Sequence, residues 1–195
     1  IIGGLTRLTD SGLSMVDWQP ILGTIPPLNK SQWLEVFNDY KLTPEFLYVN
    51  KNMTLEEFKY IFLWEWFHRF FARLIGLVFF IPFLYFLIKK NLNYFFYKRF
   101  LIIFSLGLLQ ALVGWWMVKS GLSEDPYVSP YRLTFHLTNA VIIYALLLWT
   151  SIEYYHKKST NFISFKSKND LILISIILVF ITILSGGFMA GSHAG

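Results

Sequence analysis

Cysteine is absent from the 195 residues. No disulfide, thiolate ligand or iron–sulfur cluster can therefore form within the chain, and His, Asp and Glu remain as metal-ligand types. Charge is scarce as well: Asp, Glu, Lys and Arg make up 15% of the residues against 55% hydrophobic ones. A soluble domain of this length has no use for so much apolar surface, and several runs reach the roughly 20 apolar residues that cross a bilayer. The composition is that of a multi-pass membrane protein. A cleavable signal peptide is also missing, and the opening Ile1-Ile2-Gly3-Gly4 carries no methionine. The expectation is a lost beginning rather than a targeting segment.

The formal net charge of +5 does not point to nucleic acid, because the cations cluster in short segments between apolar runs. The spans read as residues 55–88, Phe100–Val118, Pro130–Ile152 and Leu171–Ala190. Thr54-Leu55-Glu56-Glu57 fits a capping box at the first of these, and Ser129-Pro130 is a cap-plus-proline start for the third. Lys89, Lys90, Lys98 and Arg99 join the first two spans; Lys157, Lys158, Lys166 and Lys168 join the last two. The positive-inside rule assigns those joins to the cytoplasm or matrix. The mixed-charge segments 13–59 and 119–129 then lie outside. The resulting layout has residues 1–12 as the end of a truncated first membrane helix and 13–59 as an outer loop. Three spans follow over 60–152, then a basic inner loop at 153–170 and a truncated first helix of a second repeat at 171–195.

A repeat is suggested by Gly3, Gly4 and Gly12, which answer to Gly186, Gly187 and Gly195 at a constant offset. Within the outer loop, Pro26-Pro27 breaks regular structure. Trp33, Leu34, Phe37 and Tyr40 recur at helical spacing over Ser31–Tyr40, as in a short helix lying on the membrane surface, over a pocket, or packed on the rest of the loop. Thr43-Pro44-Glu45 has the chemistry of a further helix start.

The stretch Leu63-Trp64-Glu65-Trp66-Phe67-His68-Arg69-Phe70-Phe71-Ala72-Arg73 puts a carboxylate, an imidazole and two guanidiniums where the chain enters lipid. Ionisable groups there are costly and are read as functional, with a partner to be named. The partner is His136. From Lys59 to His68 is nine residues and from Pro130 to His136 six, which at 1.5 Å per residue gives depths of roughly 13 and 9 Å. Two imidazoles at similar depth on parallel spans suit one flat cofactor in a four-helix bundle, and haem iron accepts an imidazole on each face. A metal role is accordingly assigned to His68 and His136. The bland alternative is a pair of histidines satisfied by packing.

Glu65 shares a helix face with His68. It could pair with Arg69 as a structural ion pair, hydrogen-bond a ligand or water, or act as proton acceptor or stabiliser of positive charge. Di-iron chemistry needs several more carboxylates, and no other acid lies inside a span; Glu153 is at the inner end of one. Arg69, Arg73, Arg132 and Lys119 are candidates for haem propionates, with headgroup snorkelling the alternative for Arg132 and Lys119. Trp115-Trp116 fits an interfacial aromatic belt. His156 reads as solvated, and His193 aligns with Asp10 in the repeat, which argues against a ligand role.

In these residues the chain resembles the haem A synthase family in its cysteine-free form. The resemblance rests on Gly3–Ser14, Trp18-Gln19-Pro20, Gly23–Leu28, Glu65-Trp66-Phe67-His68-Arg69, Gly114–Leu122, and Ser129-Pro130-Tyr131-Arg132-Leu133 leading to His136. It implies an all-α membrane protein, a four-helix transmembrane bundle forming half of a duplicated eight-helix protein, with short surface helices in a long outer loop. It implies oxidation of the C8 methyl of haem O to the formyl of haem A, with oxygen drawn from water, for cytochrome oxidase. Substrate haem would sit between His68 and His136, with Glu65 in the chemistry and a haem b in the second half. The expected partners are the lipid bilayer, haem O, haem O synthase, an electron acceptor and a second copy of the chain, without nucleic acid. The expected location is a bacterial inner membrane or the mitochondrial inner membrane, with the haem site toward the outer face. A bis-histidine electron-transfer cytochrome b and a non-catalytic membrane assembly factor are the competing readings.

Overall fold

The computed structural model describes residues 2–18, 22–123, 125–156 and 170–192. Among them the chain forms seven α-helices and one 3-10 turn at Leu22–Thr24, with no strand. The helices are α1 (Ile2–Leu8), α2 (Lys30–Tyr40), α3 (Pro44–Tyr48), α4 (Leu55–Ile88), α5 (Tyr94–Gly121), α6 (Pro130–His156) and α7 (Asp170–Gly191). The last four are each long and apolar enough to cross a membrane. Their surfaces are rich in exposed Leu, Ile, Val and Phe, as expected where lipid rather than water is the neighbour.

Helix starts follow the cap chemistry in the sequence. Asn29 opens α2 with a full capping box to Gln32, and the Thr43 side chain accepts from the Phe46 N–H with Pro44 in the first turn of α3. At α4 the Thr54 N–H donates to Glu57 Oε2 (2.7 Å) while Thr54 Oγ1 accepts from the Glu57 N–H (3.4 Å). Two helix ends close by paired backbone bonds around a left-handed residue. After α1, Ser11 N–H reaches Thr6 O and Asp10 N–H reaches Arg7 O, with Asp10 at φ 45°. After α4, Asn91 reaches Phe86 O and Lys90 reaches Leu87 O, with Lys90 at φ 54°. The ends of α1 and α7, Leu8 and Gly191, are separated by the same offset as Gly3 and Gly186.

One expectation is corrected. Lys98 and Arg99 are not in a loop: α5 begins at Tyr94, six residues before its apolar run, and carries both. Arg99 is 4% exposed and forms an ion pair with Glu153 of α6, also buried. A charge pair this deep is held in place because freeing either partner would strand the other in a poor dielectric.

The chain divides into two compact units, Ile1–Phe79 with Gly114–Ser129, and Phe80–Val113 with Pro130–Gly195. In the first, Met15, Phe37, Tyr40, Phe58, Ile61 and Phe62 form a buried core that ties α2 and α3 to the first turns of α4. The Phe58 ring lies 4.9 Å from that of Phe37 and 5.0 Å from that of Tyr40. The helix over 30–40 is therefore packed on its own lobe. In the second, Phe80 and Phe83 of α4 pack on Phe104 of α5. There α6 and α7 touch through glycines: a Cβ at Gly187 would lie 3.2 Å from Thr134 Cα, and one at Gly191 2.5 Å from Pro130 Cα. Small residues of this kind allow the close backbone approach that drives helix pairing in lipid.

Candidate functional site

Each unit holds one of the two histidines. In the first, one helical register of α4 brings Glu65, His68, Arg69 and Arg73 onto neighbouring positions. Glu65 is 2% exposed. Its Oε2 accepts from Ser14 Oγ and from the Met15 N–H, both at 2.7 Å, and its Oε1 accepts from the Arg69 guanidinium. Arg69 also donates to Met15 O at 3.0 Å and Asp17 O at 3.4 Å. The turn at Asp10 makes this possible by folding residues 11–17 back along α4, where Ser14 is further tied to Ser11 O. A buried carboxylate is tolerable only when so supplied with donors.

His68, half-buried, turns its ring toward α1: a Cβ at Gly3 would stand 3.2 Å from His68 Nε2. Arg73 Nη1 lies 3.4 Å from Gly23 O. The Lys119 ammonium lies 5.2 Å from the Trp115 ring centroid, and Trp115 itself is 6.1 Å from Trp18. Trp115 and Trp116 are both substantially exposed, as an interfacial belt requires.

In the second unit, His136 is half-buried on α6 and faces Gln110 of α5. Gln110 Nε2 is 3.1 Å from His136 Nε2 and donates to His136 O at 3.1 Å. Gln110 Oε1 accepts from Asn139 Nδ2 at 2.7 Å, and that same nitrogen donates to Leu106 O at 3.1 Å. Arg132 lies on the same helix, one turn from His136 and part-buried. His156 is exposed at the end of α6. His193, the lysines at 157, 158, 166 and 168, Gln19, Pro20 and Glu124 lie outside the described residues.

The segment between α1 and α4 contributes a buried polar cluster. Tyr40 (0% exposed) donates to Glu45 Oε2 at 2.9 Å and accepts from Asn50 Nδ2 at 2.8 Å. Burial pushes the Glu45 carboxyl up to about 7 and moves the Tyr40 phenol up as well.

The comparisons with known proteins agree across the whole chain. The family model for COX15-CtaA, described as cytochrome oxidase assembly protein, matches residues 1–195. The chain belongs to the COX15-CtaA family. A relative from Nitrosospira multiformis named heme A synthase is 50% identical over all of this chain and 55% of its own length. One of the same name from Nitrosomonas eutropha is 47% identical, over 56% of its length. Heme A synthase COX15 of Saccharomyces cerevisiae is 42% identical, over 45% of its length. The chain thus spans about half the length of the curated relatives it matches. No solved structure matches it.

The COX15-CtaA match spans both histidine centres, and imidazole is a donor type that haem iron accepts. His68 has a glycine, not a side chain, against its Nε2 edge, and Gly4 beside it has open space where a Cβ would stand. His136 Nε2 faces the Gln110 amide, an uncharged partner, at 3.1 Å. No cluster of three or more His, Asp or Glu competes as a metal site among the described residues.

Sequence reasoning did not find Ser14, Met15, Gln110 or Asn139. Gln110 and Asn139 carry a usable signal, since an amide inside an apolar run demands a partner. Ser14 and the Met15 N–H carry none.

Proposed function

We propose that the chain contributes the substrate half of a haem A synthase, which oxidises the C8 methyl of haem O to a formyl group. The observation that carries this reading is Glu65, a carboxylate clamped by Ser14, Met15 and Arg69 one helical turn from His68. A pure electron carrier has no use for a buried acid beside its ligand. Membership of the COX15-CtaA family and relatives named heme A synthase support it.

In this reading His68 and His136 bind the iron of the substrate haem as neutral imidazoles. Converting the methyl to a formyl takes one oxygen atom from water and releases four electrons and four protons, the electrons passing to an acceptor. Both Glu65 oxygens are held by donors, so the carboxylate is a fixed negative charge. It stabilises positive charge that develops on the substrate, and leaving its place to carry a proton would break all three contacts. Arg69 is committed to Glu65 and to the carbonyls of Met15 and Asp17, so its first duty is to hold the acid. Arg73, Arg132 and Lys119 are assigned to the propionates, whose carboxylates a guanidinium fork or an ammonium matches. The site lies on the outer side of a bacterial or mitochondrial inner membrane, on the side of residues 13–59, and a haem b belongs to the further half present in the longer relatives.

Glu65→Gln in the full-length protein tests the reading. Haem content should stay near that of the unaltered protein, while haem A recovered by pigment extraction drops about 100-fold, the usual cost of removing one electrostatic stabiliser. Normal haem A yield would reject the role of Glu65. A full haem complement in both His68→Ala and His136→Ala would reject the ligand assignment.

A further inference from the structure

The amides around His136 allow a proton to be counted. Leu106 O can only accept, so the Asn139 atom facing it at 3.1 Å is the NH2 group. That NH2 also reaches Gln110 at 2.7 Å, so the Gln110 atom there is the carbonyl oxygen. The other end of the Gln110 amide is then its NH2, and its contact with His136 O, again an acceptor only, agrees. The same NH2 lies 3.1 Å from His136 Nε2. Two groups that both need an acceptor cannot share that contact, so Nε2 accepts and carries no hydrogen. The imidazole is held as the Nδ1–H tautomer, with the Nε2 lone pair directed at Gln110.

An imidazole binds iron through such a lone pair, and a ring nitrogen has only one. Gln110 therefore occupies the direction that iron would take at Nε2. We propose that the Gln110 carboxamide is the resting partner of His136, keeping the Nε2 lone pair ready when no haem is bound and competing with iron for it when haem is. The inference rests on the assignment of His136 as a ligand of the substrate haem. An enzyme whose substrate is a haem must release that haem each turnover, unlike a protein that keeps a resident one. A donor waiting beside the ligand lowers the cost of letting the iron go. Asn139 is the positioning residue of this device, because it fixes which end of Gln110 faces the ring.

The test is the rate at which haem leaves the full-length protein in nanodiscs, followed optically as apomyoglobin takes it up, with haem O and then protohaem as probes. Gln110→Met keeps the length of the side chain and removes the donor. Losing one competing hydrogen bond should slow haem release roughly three- to tenfold. Asn139→Leu frees the amide to turn over and should slow release by less. Release from Gln110→Met that is unchanged or faster overturns the proposal. Should Gln110→Met fail to fold, Gln110→Leu and Asn139→Leu carry the same measurement, and unchanged or faster release from both overturns it equally. His136→Ala separates the two levels of inference. If His136→Ala leaves the haem spectrum unaltered, the ligand assignment itself has failed; if it abolishes the six-coordinate spectrum while Gln110→Met releases haem at the normal rate, only the role of Gln110 has.

Discussion

The two histidine centres are supported in opposite ways. Around Glu65 and His68 the supports come from a loop some 50 residues away in sequence, through a serine hydroxyl and a backbone N–H. Around His136 they come from two amide side chains on spanning helices, each contact made from helix to helix. A helix-borne support is as rigid as the helix pair that bears it. A loop-borne one is only as good as whatever packs the loop. Here that is the aromatic core of α2, α3 and the start of α4, of which Met15 is a member. The first centre therefore answers to that aromatic core, and the second to the packing of α5 on α6 alone.

The strongest way to break this distinction is Phe58→Ala. Phe58 is wholly buried between Phe37, Tyr40 and Phe62, and truncating such a ring costs about 3–5 kcal/mol. Hydrogen exchange should show α2, α3 and residues 11–17 losing protection while α5 and α6 around Gln110 and His136 keep theirs. Equal loss in both units would mean that the centres share one support after all.

Acidity should act on the same lobe without any mutation. Glu45 titrates near 7 because burial outweighs the Tyr40 hydrogen bond, with the Glu65 and Asp10 carboxylates pushing in the same direction as burial. Its folded-state value lies above its unfolded one, so the folded lobe binds the proton more tightly. The stability this gives is complete at acid pH below the unfolded value, falls through the interval up to about 7, and is gone above it. The loss is on the order of 3 kcal/mol at most. Exchange of α3 amides, corrected for intrinsic rates, should therefore be better protected at pH 5 than at pH 8, and Glu45→Gln should flatten the difference. No pH effect in the unaltered protein would separate the lobe from the titration of Glu45.

How much of this was readable beforehand follows from how far each signal travels along the chain. The spans, their caps at Thr54 and Pro130, and the starts of α2 and α3 depend on neighbours a few residues apart, and the sequence carries those. The Glu65–Arg69 pair is likewise local. The clamp on Glu65 is not: Ser14 is an ordinary loop serine, and the Met15 N–H is chemistry that every residue but proline possesses. Arg99 misled for the opposite reason. Beside Lys98 it reads as a loop cation, whereas α5 extends past its apolar run and turns Arg99 inward to Glu153.

The smallest expected effect is the sharpest probe of the first centre. Gly3 and Gly186 stand at matching positions of the two glycine pairs, but only Gly3 faces a histidine. Alanine at Gly186 or Gly4 meets nothing within 4 Å and should only gain the helix propensity of alanine, up to about 1 kcal/mol. Alanine at Gly3 places a methyl 3.2 Å from His68 Nε2 and 3.5 Å from Cε1, so the ring has to give by a few tenths of an ångström. A tilted rotamer of that kind costs about 0.5–1.5 kcal/mol, which roughly cancels the gain. Gly3→Ala should thus leave the melting temperature near its starting point while shifting the haem absorption and reduction potential. Gly186→Ala should do the reverse, raising stability and leaving the spectrum alone. If both variants behave alike, the close approach of α1 to His68 has no bearing on the ligand, and the first centre is held by the loop clamp on Glu65 alone.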